Sequence, residues 1–244
     1  MTDGRRIDIL LVERGLFASR AKAREAIEAG LVHAGGRLVT KPSEIMTETA
    51  EISAVAPYPW VSRGGVKLAH ALDAFHVDPA GLVCLDIGAS TGGFTHVLIE
   101  RGASEVYAVD VGHGQLNADI ASNARVVKLE QTDIRTLDAA VFSGARPSLI
   151  VCDVSFISLK LVLPAAFALA DKPAQLIALI KPQFEAGREG TRKGIVRDPA
   201  IHRAVCDDIS AFIAQQGWKI RGLIPSPIEG GDGNREFLIC AEKN

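Results

Sequence analysis

The 244-residue sequence predicts a doubly wound, Rossmann-like α/β domain with a mostly parallel seven-stranded sheet, preceded by a small N-terminal α/β domain. Three observations predict it. From residue 62 onward, strand-like apolar runs alternate with helix-like ones, the pattern of βα units wound into a parallel sheet. The turn after the first of those strands, Asp86-Ile87-Gly88-Ala89-Ser90-Thr91-Gly92-Gly93-Phe94, is rich in glycine and lies where an open α/β sheet receives its ligand. Before residue 57 the pattern differs: two short helical stretches and a hairpin form a unit near the lower size limit for independent stability.

Arg6 to Arg14 carries Ile7, Leu10 and Leu11 on one helical face and stops at Gly15. Ser19 is a good N-cap for the helix formers Arg20 to Ala29, which end at Gly30. Leu31-Val32-His33 and Arg37-Leu38-Val39 flank Ala34-Gly35-Gly36 as a hairpin, and Glu51 to Val55 reads as a third strand. The first domain therefore covers 1–56. Two prolines around an aromatic residue, Pro57-Tyr58-Pro59, open a stiff linker over 57–61, and the second domain runs over 62–244. There the spacing predicts helices at Gly64 to Phe75, Phe94 to Arg101, Leu116 to Ala121, Leu159 to Ala170 and Pro199 to Gln215. The strands are Val83–Ile87, Glu105–Val109, Val126–Leu129, Leu149–Cys152, Gln175–Ile180, Lys219–Leu223 and Glu236–Ala241, the last expected to return as an antiparallel edge.

With 48% hydrophobic and 23% charged residues, the chain can bury a core without staples. Its four cysteines form no C-x-x-C pair, which argues against a zinc knuckle or a disulfide scaffold and for a reducing cytoplasm. No segment reads as an export signal or a membrane span, so a cytoplasmic protein without a membrane partner is expected. No metal is expected either, because the six histidines form no ligand-like pair. Residues 1–67 hold ten Lys/Arg against eight Asp/Glu, and the remainder 17 against 21, so the basic excess sits at the front.

The glycine turn lacks the second Gly of a dinucleotide fingerprint, Ser90 standing in its place, and so does not suit a pyrophosphate. S-adenosylmethionine carries no phosphate and needs room and hydrogen-bond partners for its amino-acid end, which this loop and Asp86 supply. Asp110 ends the next strand, where an acidic residue accepts both ribose hydroxyls of an adenosine. Asp133, after the third strand, stands where it can accept from the adenine amino group, with Ile134 to pack on the ring. Either Asp alone would serve as readily as a helix cap; three acids in register with three strand ends favour a ligand. The cofactor set is Asp86, Gly88, Ala89, Ser90, Gly92, Gly93, Phe94, Asp110, Val111, Asp133 and Ile134.

Four further polar residues stand where an α/β enzyme places its chemistry: Lys67 in SRGGVKL, Asp153 in IVCDVSF, Lys181 in ALIKPQF and Glu236 in GNREFLI. A purely structural Lys181–Asp153 salt bridge is the competing reading. With the glycine loop, the four resemble the Lys-Asp-Lys-Glu tetrad of FtsJ-like ribose 2′-O-methyltransferases. The N-terminal helices and KPS resemble the RNA-binding domain of ribosomal small-subunit protein four. SRGGVKL, DIGASTGGFT, DVGHGQL, DVSFISL, IKPQFEAG and GNREFL occur in order, so the whole chain resembles the TlyA family, rRNA 2′-O-methyltransferases historically labelled hemolysins. Two positions depart from the family pattern: Gly35 and Asp133 each stand where an Asn is expected.

The resemblance implies a class I methyltransferase domain, S-adenosylmethionine as cofactor, and ribosomal RNA or ribosomal subunits as partner, with a cytidine ribose as the acceptor. A ribose hydroxyl is a weak acid, so a group must take its proton as the oxygen attacks the methyl group in line. Lys181 is the candidate base and Asp153 its orienting partner, while Lys67 and Glu236 would position the ribose. Arg5, Arg6, Arg14, Arg20, Lys22 and Arg24 are candidate phosphate contacts, and Arg188, Arg192, Lys193 and Arg197 form a second basic cluster. A non-catalytic RNA-binding module and a membrane-lytic protein are the rival functions. The intact tetrad argues against the first, and the lack of a strongly amphipathic cationic helix against the second.

Overall fold

The computed structural model describes residues 4–187 and 194–244, apart from the side chain of Asp232. The chain divides into two compact units, Met1–Pro59 and Trp60–Asn244.

The first unit contains β1 (Gly4–Arg6), α1 (Ile7–Glu13), α2 (Arg20–Glu28), β2 (Val32–Ala34), β3 (Arg37–Leu38), β4 (Ile45–Thr47) and β5 (Ile52–Ala54). Ile7, Leu11, Phe17, Ala23, Ala26, Ile27 and Val32 form its core, which explains why both helices are amphipathic. Ser19 caps α2, its Oγ accepting from Lys22 N at 3.3 Å. The hairpin between β2 and β3 pairs Ala34 with Arg37 across two residues, Gly35 and Gly36, both at positive φ. A two-residue turn of this kind demands positive φ at both positions, so Gly-Gly satisfies it as well as the expected Asn-Gly. β1 and β4 pair with each other, and the sequence reading missed both: each has three residues, and Gly4-Arg5-Arg6 has no apolar alternation to signal a strand.

The second unit contains α3 (Gly64–Phe75), β6 (Val83–Ile87), α4 (Gly93–Glu100), β7 (Glu105–Val109), α5 (Ala118–Ala121), β8 (Val126–Leu129), β9 (Leu149–Cys152), α6 (Leu159–Leu169), β10 (Ala174–Ile180), α7 (Pro182–Glu185), α8 (Pro199–Gln215), β11 (Lys219–Pro225) and β12 (Phe237–Lys243). Its seven strands lie in the order β11-β12-β10-β9-β6-β7-β8, with β12 antiparallel to both neighbours. Alternate residues of the central strands feed two apolar layers. Leu85, Tyr107, Ile150 and Leu176 face α6 and α8, while Cys84, Val106, Val151 and Ile177 face α3 and α4.

The last strand is not the antiparallel edge expected from the sequence: β12 is an inner strand, and β11 is the edge. Four consecutive residues of β12, Leu238 to Ala241, are buried, as a strand covered on both faces requires. β11 instead alternates exposed and half-buried positions and carries Lys219, Arg221 and Pro225 outward, features that protect an edge. The reversal of strand order between β9 and β6 leaves a crevice at their carboxyl ends.

Candidate functional site

Gly88 shows how tightly that crevice is built. Its φ is +83°, and a Cβ there would lie 2.5 Å from the backbone oxygen of Asp153, so the loops leaving β6 and β9 meet backbone to backbone. Asp86, near the end of β6, is fully buried; its Oδ2 accepts from Thr95 Oγ1 at 2.6 Å, and its Oδ1 has no partner among the described residues. Burial pushes this carboxyl up to about 7, Thr95 opposing the rise and the nearby Asp153 and Asp110 adding to it.

A cavity of 520 Å³ opens beside these loops. Gly88, Ser90, Asp110, Val111, Asp133 and Ile134 from the predicted cofactor set line it, and Val111 is largely exposed at its wall. Asp110 accepts Ser90 N at 2.8 Å on one oxygen and Gly112 N at 2.7 Å on the other, tying the two loops together while facing the cavity. Asp133 caps a short 3₁₀ turn and pairs with Arg135 at 2.5 Å, whose hydrogen bond holds its carboxyl below the usual range. Asp133 thus serves as the cap that the sequence left open as its alternative, and it also lines the cavity. Gly93 and Phe94 do not reach the large cavity. Phe94 is buried in the α3/α4 layer and, with Gly93 and Ala89, borders a smaller cavity of 150 Å³ that also touches Asp153, Ser155 and Lys181. Gly92, at φ +92°, precedes α4 and borders neither.

The four candidate catalytic residues form two lysine–carboxylate pairs. Lys181 Nζ lies 2.6 Å from Asp153 Oδ1, a charge contact off the hydrogen-bonding direction, and donates to Ser155 Oγ at 2.8 Å. Lys67, on α3, donates to Glu236 Oε2 at 2.5 Å, and both side chains are almost fully buried. Strand order places the pairs side by side. Ile180 is in register with Phe237, so Lys181 and Glu236 leave neighbouring strands at the same level, and Asp153 leaves the next strand over. Glu236 stands one residue before β12, not within a strand as expected. Pairing accounts for the burial of both lysines, since an unpaired buried ammonium would be costly.

Several residues that shape the site carried no signal in the sequence. Glu130 follows β8 and accepts the backbone N–H groups of Gly114, Gln115 and Leu116; these bonds push its carboxyl down to about 2 and order the loop beyond Asp110. Glu185 on α7 accepts Ser158 Oγ at 2.5 Å and Leu159 N at 2.8 Å, joining the start of α6 to the turn after Lys181. Asn234 is buried, accepting Val196 N at 3.1 Å and donating to Gly194 O at 3.0 Å. Phe156 lies in DVSF, a segment read only for its Asp; it is 89% exposed at φ +65° and borders the large cavity.

Most candidate phosphate contacts of the first unit have internal partners. Arg6 and Arg20 both bind the buried Asp8, at 3.0 and 2.8 Å. Burial would raise the Asp8 carboxyl, but these hydrogen bonds outweigh it and hold it below the usual range. Arg5 pairs with Glu13 and with Glu48, and Arg14 donates to the backbone oxygens of Ala50 and Glu48. Lys22 is half-buried over the Tyr58 ring, at 5.0 Å, and Arg24 is exposed. Arg188, Arg192 and Lys193 lie outside the described residues. Arg197 is exposed just before α8. No helix among the described residues is long and apolar enough to cross a membrane.

A family model described as FtsJ-like methyltransferase matches residues 60–243, and one described as S4 domain matches 5–52. The chain is thus a methyltransferase of the S-adenosylmethionine-dependent, FtsJ-like class, joined to an S4 domain. The Mycobacterium tuberculosis 16S/23S rRNA (cytidine-2′-O)-methyltransferase TlyA is 43% identical over 96% of this chain and 88% of its own length. The Bacillus subtilis protein YqxC is 45% identical over 96% of this chain and 84% of its own. A solved structure from Streptococcus thermophilus, 42% identical, covers 100% of this chain and 90% of its own with a TM-score of 0.79. The chain belongs to the TlyA family of rRNA 2′-O-methyltransferases.

Proposed function

We propose that this chain transfers a methyl group from S-adenosylmethionine to the ribose 2′-oxygen of a cytidine in ribosomal RNA. The observation that carries the reading is the pairing of Lys181 with Asp153 and of Lys67 with Glu236 at one edge of the sheet, beside the 520 Å³ cavity. Bound S-adenosylmethionine supplies an electrophilic methyl group on a sulfonium. The residues present fit it: Asp110 lines the cavity as an acceptor for ribose hydroxyls, and Asp86, fully buried and bordering neither cavity, keeps one oxygen, Oδ1, unpartnered as an acceptor for the amino end. Gly88 lines the cavity while packing directly against the Asp153 backbone, which only a residue without a Cβ allows.

Lys181, in its neutral form, takes the proton from the 2′-hydroxyl, and Asp153 stabilises the ammonium that results. Lys67 donates to the ribose, and Glu236 fixes where that lysine points. Holding oxygen and methyl group in line supplies much of the acceleration, because there is no covalent intermediate to form. Arg24 and the half-exposed Arg20 on α2 supply phosphate contacts, as an arginine paired on one side keeps donors free on the other. The test is transfer of isotopically labelled methyl groups from S-adenosylmethionine to isolated 30S and 50S subunits, followed by mapping of the product. A 2′-O-methylcytidine is expected; label on a base, or none on either subunit, rejects the reading.

Asp86 adds a pH dependence. A buried carboxyl raised to about 7 from an unfolded value near 3.8 makes ionisation in the folded state increasingly costly. Its contribution to stability is therefore fully present at low pH and declines as pH rises from about 4 to about 7. Binding of a cationic amino end runs the other way, since it needs the ionised form. Cofactor affinity is expected to level off above pH 7 and to fall by up to about tenfold per pH unit below it. Calorimetric titrations across this range on wild type and Asp86→Asn check it: the wild-type curve should slope and the variant's should flatten.

A further inference from the structure

We propose that Ser155 is a positioning residue for methyl transfer, fixing the rotation of the Lys181 amine so that its free direction meets the reacting hydroxyl. The inference rests on the reading of Lys181 as the base. Lys181 Nζ has two neighbours, and they do different things. Asp153 Oδ1, at 2.6 Å, supplies charge but lies off the hydrogen-bonding direction. Ser155 Oγ, at 2.8 Å, accepts a directed hydrogen bond. An amine turns freely about its Cε–Nζ bond unless a directed contact stops it, and a carboxylate held by charge alone tolerates that rotation. Ser155 therefore sets the angle.

The angle matters because a neutral amine has one lone pair and two N–H bonds. If an N–H faces the ribose hydroxyl in place of the lone pair, the proton cannot be taken. With one hydrogen committed to Ser155 and the other drawn toward Asp153, the remaining tetrahedral direction carries the lone pair. Lys181, Asp153 and Ser155 all border the 150 Å³ cavity, the space where a ribose would meet them. Ser155 also borders the 520 Å³ cavity, so it stands at the boundary between methyl donor and acceptor. Its side chain is exposed and carries no part of the core, so truncating it should cost little stability.

The test compares wild type, Ser155→Ala, Ser155→Thr and Lys181→Ala in methyl transfer to ribosomal subunits at saturating S-adenosylmethionine, with cofactor Kd by calorimetry and Tm on the same samples. Ser155→Ala is expected to lower kcat by about tenfold or more while KM for the subunit and cofactor Kd stay within about twofold. Ser155→Thr keeps the hydroxyl and should return kcat to within about threefold of wild type. A wild-type kcat for Ser155→Ala overturns the proposal, as does a loss seen in cofactor Kd or Tm instead of kcat. Failure of Thr to rescue overturns it too. An active Lys181→Ala removes the base reading beneath it, and a wild-type protein that transfers no methyl group removes the methyltransferase reading itself.

Discussion

Replacing Lys181 by alanine is expected to lower methyl transfer to ribosomal subunits by roughly two to four orders of magnitude, the range a positioned general base contributes. Cofactor affinity should stay nearly unchanged, because Lys181 does not line the 520 Å³ cavity. Stability should fall modestly. The variant leaves the Asp153 carboxylate without its counter-ion, but that side chain is 19% exposed and solvent takes up part of the charge, so about 1–2 kcal/mol is expected. Lys181→Arg separates base from counter-ion. Arginine preserves the positive charge beside Asp153 yet cannot be deprotonated in a protein, so it should restore Tm without restoring transfer. If Lys181→Arg transfers methyl groups at near the wild-type rate, Lys181 acts by charge alone and the proton has another acceptor.

Much of this site was legible because strand ends in a parallel sheet are predictable places. Asp110, Asp153 and Lys181 each directly follow an apolar strand and Asp86 is the penultimate residue of one, and a short continuous apolar run marks where a buried strand stops to within a residue or two. What the sequence did not disclose is which polar groups meet. Ser155 lies two positions from Asp153, but nothing local distinguishes a serine that holds a lysine 26 residues further on from one that faces solvent. Glu130 and Glu185 likewise act by accepting N–H groups from other loops, a partnership set by tertiary packing. The place of β12 was misread for a different reason. Its burial on both faces was visible in Leu238-Ile239-Cys240-Ala241, but the expectation that a last strand sits at the edge overrode that pattern. Basic residues of the first unit looked free because nothing local marks Asp8, within the first helix, as a buried acceptor; only the fold draws Arg6 and Arg20 onto it.

Those ion pairs sharpen what removal of residues 1–59 should do. The fragment beginning at Trp60 is expected to fold and to bind S-adenosylmethionine, but to methylate ribosomal subunits poorly. Every residue lining the 520 Å³ cavity lies after Pro59, and both apolar layers of the sheet are built from residues after it. Starting at Trp60 also preserves two contacts that seat the fragment's first residues: Trp60 Nε1 donates to Glu100 at 2.9 Å, and Val61 N donates to His96 Nδ1 at 3.2 Å. What the truncation is expected to remove is the phosphate contact proposed for the first unit. Each phosphate neutralised on duplex nucleic acid adds about 0.9 to the dependence of log affinity on log salt, so the fragment should bind more weakly and with a shallower slope. The decrease should fall short of that for six free cations, because Arg5, Arg6, Arg14 and Arg20 already have partners and release fewer counter-ions. The competing view is that the first unit braces the second and leaves recognition to it. Salt-dependent binding to ribosomal subunits and thermal unfolding, measured on one preparation of the fragment, separate the two. A fragment with wild-type affinity and salt slope, or one whose loss of binding follows a lowered Tm, removes the recognition role from the first unit.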